Sequence, residues 1–304
     1  MTTSIPPRDI GNIVHSNDNV SNHDFKHTYT KVDGITLHHV HCGEGSPVLL
    51  LPGWPQTWYV WRHVMRALAK VGYRAIAVDL RGLGQSSRPT TGYDTGRVAA
   101  DLHHLMRKLG HEHYPVIGHD VGMWIGYALA SDHPEVVERL AILEAFIPGL
   151  ARSPEIFLPQ SQNVFMWHFM FNQLADLPEL LIQGRERAYL SWMFDQWAYK
   201  RDRVAVETYI ESYSSPGALR GGFAHYRAIP ETSAQNERRA KTKLRMPVLA
   251  LGAEHATADM PLTIMEPVAN DLRGAILPGC GHFVPEEDPD ALLAHVLPFL
   301  RGAS

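Results

Sequence analysis

The stretch Val116-Ile117-Gly118-His119-Asp120-Val121-Gly122 is an apolar run that ends in Gly-x-Asp-x-Gly and opens directly onto a helix-like segment. Small residues two before and two after a central residue are what a sharp strand-to-helix turn requires, because the backbone there is crowded and strained. Asp120 is therefore expected to project from a nucleophile elbow. Aspartate is also a good helix N-cap, but a cap does not call for flanking glycines. In the common elbow the exposed residue is serine, which a histidine must deprotonate before it attacks. A carboxylate is already an anion at neutral pH. Asp120 is thus suited to displacing a leaving group from saturated carbon, giving an alkyl ester that a later water must cleave.

Outward from Asp120, short apolar runs alternate with amphipathic segments, the pattern of an α/β protein with a mostly parallel sheet covered by helices on both faces. Eight strands are expected near residues 27–32, 35–42, 48–51, 74–78, 116–118, 140–143, 248–251 and 275–277. Apolar residues at three- and four-residue spacing predict helices over 58–70, 96–109, 122–131 and 289–300. Between residues 148 and 231 strand-like runs vanish, and Trp, Phe, Tyr and Met recur at helical spacing. That segment reads as an inserted helical cap, leaving residues 24–147 and 232–304 as the core. Residues 1–23 are polar, rich in Asn, Ser and Pro, and carry no apolar signal-peptide core, so a flexible N-terminal arm is expected there.

Composition narrows the partners. Hydrophobic residues at 45%, charged residues at 20% and a net charge of -4 describe a soluble globular chain of 304 residues with no electrostatic footprint for nucleic acid or anionic membrane. No apolar run approaches the ~20 residues needed to span a bilayer. Cys42 and Cys280 are the only cysteines, too few for a disulfide framework and without zinc spacing, so a cytoplasmic, reducing location is expected. No cofactor or metal is required by the chemistry read from Asp120.

Three further motifs stand in a fixed order around the elbow: Pro52-Gly53-Trp54-Pro55-Gln56-Thr57-Trp58, Asp79-Leu80-Arg81-Gly82-Leu83-Gly84-Gln85-Ser86, and Gly279-Cys280-Gly281-His282-Phe283. Together they resemble the oxyanion loop, the Asp-x-Arg-Gly-x-Gly-x-Ser loop and the late base-bearing turn of the α/β-hydrolase fold superfamily, over residues 25–301. Pro52 stands where that family usually has histidine. An Asp nucleophile resembles the epoxide hydrolase and dehalogenase branches. Asp120-Val121-Gly122-Met123-Trp124, Glu144-Ala145-Phe146-Ile147-Pro148, Trp167-His168-Phe169 and Phe223-Ala224-His225-Tyr226-Arg227-Ala228 look most like the Cif-like epoxide hydrolases. In that resemblance Cys280 would fill one half of a disulfide near the base, but the segment after His282 offers no second cysteine, so neither the disulfide nor export carries over to this chain.

The expected chemistry is the opening of a neutral epoxide to a vicinal diol. Asp120 attacks a ring carbon, and His282 activates water against the resulting ester. The superfamily places the acid that orients the histidine after either the sixth or the seventh strand. Glu144, at a strand end, is preferred over Glu254 and Asp259. By resemblance the backbone amides of Trp54 and Val121 form the oxyanion hole, while Tyr226 and His168 hang from the cap and protonate the opening oxygen. His225 adjoins Tyr226 but should face about 100° away on a helix. Cap aromatics predict an apolar pocket, with Met123, Trp124, Phe165, Trp167, Phe171 and Met193 as candidate lining.

Two other functions fit parts of the pattern. A haloacetate dehalogenase would cradle halide with Trp167, His168 and Tyr226, but that family usually places arginines where this chain has Val121 and Trp124. A haloalkane dehalogenase usually has tryptophan directly after the nucleophile, where Val121 stands. The third alternative is a non-catalytic ligand-binding protein on the same fold. The expected partners are a small-molecule epoxide and water, with a cap surface that leaves room for a homodimer.

Overall fold

Alternation along single strands builds the two apolar layers of this protein. The computed structural model describes residues 25–152 and 157–302, so the arm expected over residues 1–23 lies outside the described residues. One sheet contains β1 (Lys26–Val32), β2 (Ile35–Cys42), β3 (Ser46–Leu51), β4 (Tyr73–Val78), β5 (Tyr114–His119), β6 (Val137–Leu143), β7 (Val248–Ala253) and β8 (Leu272–Leu277). Its order is β1-β2-β4-β3-β5-β6-β7-β8. β1 pairs antiparallel with β2, and β2 with β4, whereas every later pairing is parallel. The mostly parallel, eight-stranded sheet anticipated from the sequence is the one observed.

On β3, Leu49 and Leu51 join a core shared with Leu102 and Leu105 of α2 (Thr95–Lys108) and Ile125 and Leu129 of α3 (Val121–Asp132). Val48 and Leu50 face the opposite layer, with Val64 and Leu68 of α1 (Arg62–Lys70) and Leu292 and Val296 of α12 (Pro289–Leu300). Because helices cover both faces, β5 is buried at every position and reads as an unbroken apolar run. The helix expected over 58–70 is divided into a 3-10 turn at Trp58–Trp61 and α1, with Thr57 capping the turn.

Between β6 and β7 lie α4 (Gln160–Gln173), α5 (Leu177–Ile182), α6 (Glu186–Trp197), α7 (Val206–Tyr213), α8 (Ala218–Arg227) and α9 (Ile229–Arg239). Residue 231, the expected end of the insertion, falls within α9. Pro230 stands in the first turn of α9, and this helix packs on the core: Gln235 Nε2 donates to Asp94 Oδ1 at 2.7 Å, and Arg239 Nε to Asp132 Oδ1 at 2.9 Å. The remaining short helices are α10 (Met260–Met265) and α11 (Val284–Glu287). Cys42 and Cys280 are both buried, and neither forms a disulfide among the described residues. Among the described residues no helix is long and apolar enough to cross a membrane.

Candidate active site

The turn between β5 and α3 explains its own glycines. A Cβ on Gly118 would stand 2.2 Å from the Gly122 carbonyl oxygen, and one on Gly122 would stand 2.2 Å from that of Leu51. Larger residues at either position would drive the helix off the strand. Asp120 sits between them at φ 53°, a region that side chains other than glycine's rarely adopt. Its side chain does not cap α3. It turns instead toward the loop after β3, where Oδ1 accepts the Trp54 amide at 2.8 Å. The neighbouring Val121 amide also favours the charged form of this carboxylate. Burial pushes the Asp120 carboxyl above its usual range, against the opposing pull of His282 and the two amides.

His282 follows β8 and faces Asp120 across the sheet end. Its Nε2 lies 3.8 Å from Asp120 Oδ2, and its Nδ1 lies 3.2 Å from Glu144 Oε2. Glu144 ends β6 at φ 63°, and its Oε1 accepts from the Ala253 amide and the Thr257 hydroxyl. Burial alone would lower the His282 pKa, but the Glu144 hydrogen bond and the charges of Asp120, Glu144 and Glu287 outweigh it and raise the value. Glu254 points elsewhere and accepts the Gly279 amide at 2.8 Å. The carboxylate that reaches the imidazole is thus the one after the sixth strand.

Over Asp120 stands a tier of aromatic side chains. The His168 ring of α4 stacks on the Trp54 indole at 5.6 Å, and the Tyr226 ring of α8 meets the same indole edge-on at 5.4 Å. The His168 and Tyr226 rings are 5.3 Å apart. Burial, with the Asp120 charge second, holds the Tyr226 phenol well above its ordinary pKa, so the phenol keeps its proton at neutral pH. Burial, followed by the His282 charge, keeps His168 well below the usual imidazole value and therefore neutral. His225 faces away, its Nε2 2.9 Å from the Arg81 carbonyl oxygen.

A cavity of about 850 Å³ opens on Asp120, Glu144, His168 and His282. Of the six residues expected to line it, Phe165 does so. The others lie elsewhere for a reason of helical phase. Phe165, His168 and Phe169 share one face of α4, whereas Trp167 and Phe171 project from another, Trp167 packing on Phe171, Tyr189 and Trp192. Met123 and Met193 are fully buried in the core, and Trp124 supports Phe169 and Tyr226 from behind. Phe146, Met166, Trp197 and Met260 line the cavity instead.

Two groups of functional residues were not visible in the sequence. Thr257 reaches Glu144 from the loop after β7, between Glu254 and Asp259. In the run Pro285-Glu286-Glu287-Asp288, shortly after His282, Glu286 and Glu287 are both buried. Glu286 accepts from Arg62, Gln56 Nε2 at 2.7 Å and Tyr209 Oη at 2.9 Å, tying the loop that carries Trp54 to α7. Among the described residues no group of three His, Cys, Asp or Glu side chains is arranged to hold a metal ion.

Comparison with known proteins agrees with this fold. A family described as alpha/beta hydrolase fold matches residues 46–289. A soluble epoxide hydrolase from a Corynebacterium species (strain C12) is 36% identical over 279 residues, covering 90% of this chain and 96% of the relative. A fluoroacetate dehalogenase from a Burkholderia species is 30% identical over 293 residues, covering 92% of this chain and 95% of the relative. The crystal structure of Cfl2 from Burkholderia cenocepacia superposes with a TM-score of 0.88 at 40% identity, covering 94% of this chain and 98% of that one.

Proposed function

The chain belongs to the alpha/beta hydrolase fold family and is a hydrolase, and we propose that within this family it opens a neutral epoxide to a vicinal diol through a covalent ester on Asp120. The observation that carries the proposal is the division of labour between the two Asp120 oxygens. Oδ1 is held by the Trp54 amide at 2.8 Å, while Oδ2 faces His282 Nε2 at 3.8 Å and is free to attack.

The steps follow from those positions. Asp120 Oδ2 bonds to one epoxide carbon as the carbon–oxygen bond of the ring breaks, and the departing oxygen takes a proton from Tyr226, with His168 as a second hydrogen-bond donor. Oδ1 becomes the ester carbonyl oxygen. Water then attacks Cγ of Asp120 and gives one proton to His282 Nε2, while Glu144 stabilises the imidazolium. The negative charge of the tetrahedral intermediate develops on Oδ1, which the Trp54 amide already holds, with the Val121 amide as the second donor of the oxyanion hole. Collapse expels the diol oxygen, which takes the proton back from His282. The second water proton, released as Asp120 returns to carboxylate, restores Tyr226 through solvent. The helices α4 to α8 act as the cap that carries both acids and keeps bulk water from the ester.

An anionic haloacetate fits less well. Among the described residues that line the cavity none is lysine or arginine, so a substrate carboxylate would meet Asp120 and Glu144 with no cation to pair it. The test is to mix His282→Gln with styrene oxide and with epibromohydrin and weigh the Asp120 peptide. The expected adduct has the intact epoxide mass and retains bromine. An adduct that has lost bromide, together with fluoride release from fluoroacetate and no diol from epoxides, would make the protein a dehalogenase. Absence of any adduct would end the covalent route.

A further inference from the structure

The Glu287 carboxylate is buried, with 2% of its surface exposed, and each of its four hydrogen bonds comes from a backbone amide. Oε2 accepts from Tyr199 at 2.9 Å, Lys200 at 2.8 Å and Gly281 at 2.9 Å, and Oε1 accepts from Phe283 at 2.9 Å. Gly281 and Phe283 flank His282. Tyr199 and Lys200 belong to the chain that leaves α6, so the same oxygen holds the cap and the base loop. The His282 amide itself donates to the Trp197 carbonyl at 3.0 Å, two residues before Tyr199. From the core side, His119 Nε2 bonds the His282 carbonyl oxygen at 2.8 Å.

We propose that Glu287 is a positioning residue for ester hydrolysis: it clamps the main chain on both sides of His282 to the cap loop at Tyr199 and Lys200, so the height of the imidazole over Asp120 is set jointly by cap and core. This goes beyond the proposed epoxide opening and rests on His282 being its base. A carboxylate suits the place because it alone, as an acceptor of four donors, can satisfy both loops at once. Glu286, one residue earlier on the same helical turn, faces Arg62 and Tyr209 and serves a different joint.

The clamp also acts through charge. Among the described residues no lysine or arginine forms an ion pair with Glu287; the Lys200 ammonium lies within its field but is held by Asp288, and the Glu287 charge favours the protonated form of His282. The other groups facing this imidazole are Glu144 and Asp120, which act in the same direction, and the neutral rings of His119 and His168.

Single-turnover measurements on Glu287→Gln with styrene oxide separate the two chemical steps. The amide side chain places an NH₂ group against backbone donors and removes the charge. Formation of the ester should stay within about twofold of the parent, because Glu287 touches neither Asp120, Trp54 nor Tyr226, while its hydrolysis should fall by about ten- to a hundredfold through loss of alignment. The His282 titration midpoint, followed by NMR of the ring protons, should move to lower pH. Unchanged hydrolysis together with an unchanged midpoint would overturn the proposal. Should Glu287→Gln fail to fold, Glu287→Asp carries the test, since it keeps the charge but is too short to hold both loops: slowed hydrolysis with normal ester formation supports the clamp, and parent-like rates overturn it. If no ester forms in any variant, the covalent mechanism has failed, and the NMR midpoint still decides the clamp.

Discussion

Glu144 Oε2 lies 3.2 Å from His282 Nδ1, and the other Glu144 oxygen is already occupied by the Ala253 amide and the Thr257 hydroxyl. The carboxylate therefore cannot rotate away from the imidazole without abandoning two donors. Fixed in this way, it keeps the proton on Nδ1 and leaves Nε2 as the acceptor on the side of Asp120. In Glu144→Gln, Oε1 still suits Ala253 and Thr257, which turns the NH₂ group toward Nδ1 and selects the opposite tautomer. Attack by Asp120 should survive, whereas ester hydrolysis should slow by about 10³-fold or more. Intact-protein mass spectrometry during turnover should find the ester as the dominant species. Turnover at the parent rate with no ester would remove Glu144 from the relay.

The pH dependence of the second step has a definite sign. Burial opposes the His282 imidazolium, but the Glu144 hydrogen bond and the Asp120 charge raise its pKa above the ordinary value in the resting protein. Water activation needs the neutral ring, so hydrolysis is fast above that pKa and fails as pH falls through it. Esterification of Asp120 removes one of the charges that hold the imidazolium. The acid limb of ester hydrolysis, measured by pH-jump on pre-formed ester, should therefore lie at lower pH than the His282 midpoint of the resting protein. A limb at higher pH than the resting midpoint would contradict the electrostatics.

The parts of this architecture that a sequence displays are those set by backbone geometry. Gly118 and Gly122 declare the elbow because no other residue fits against the carbonyls of Gly122 and Leu51. The alternation of Val48, Leu49, Leu50 and Leu51 between two cores declares a covered sheet. What stays hidden is direction and burial away from such constraints. Trp167 and Phe169 are indistinguishable as cap aromatics until the phase of α4 is known, and only Phe169 faces the cavity. Glu287 sits in a run of four charged or turn-forming residues, and nothing local indicates that a loop from a distant cap will cover it with amides. Thr257 likewise becomes significant only once Glu144 has been placed.

Tyr226 offers the cleanest separation of ring opening from everything else. Its ring packs against Trp54, His168 and Phe169 at centroid distances between 5.3 and 5.4 Å, and phenylalanine preserves all three contacts. Removing the hydroxyl takes away only the proposed proton donor, whose pKa burial and the Asp120 charge keep well above neutrality. Tyr226→Phe should therefore slow ester formation by about 10²-fold, the usual contribution of a positioned general acid, and leave the hydrolysis of pre-formed ester untouched. The thermal midpoint should stay close to that of the parent, because no packed volume is lost. Rapid-quench measurement of ester formation checks the first expectation and the chase phase checks the second. If the two steps slow equally, Tyr226 is holding the cap rather than donating a proton; His168, stacked on Trp54 beside it, then becomes the principal acid, and His168→Phe should abolish ester formation.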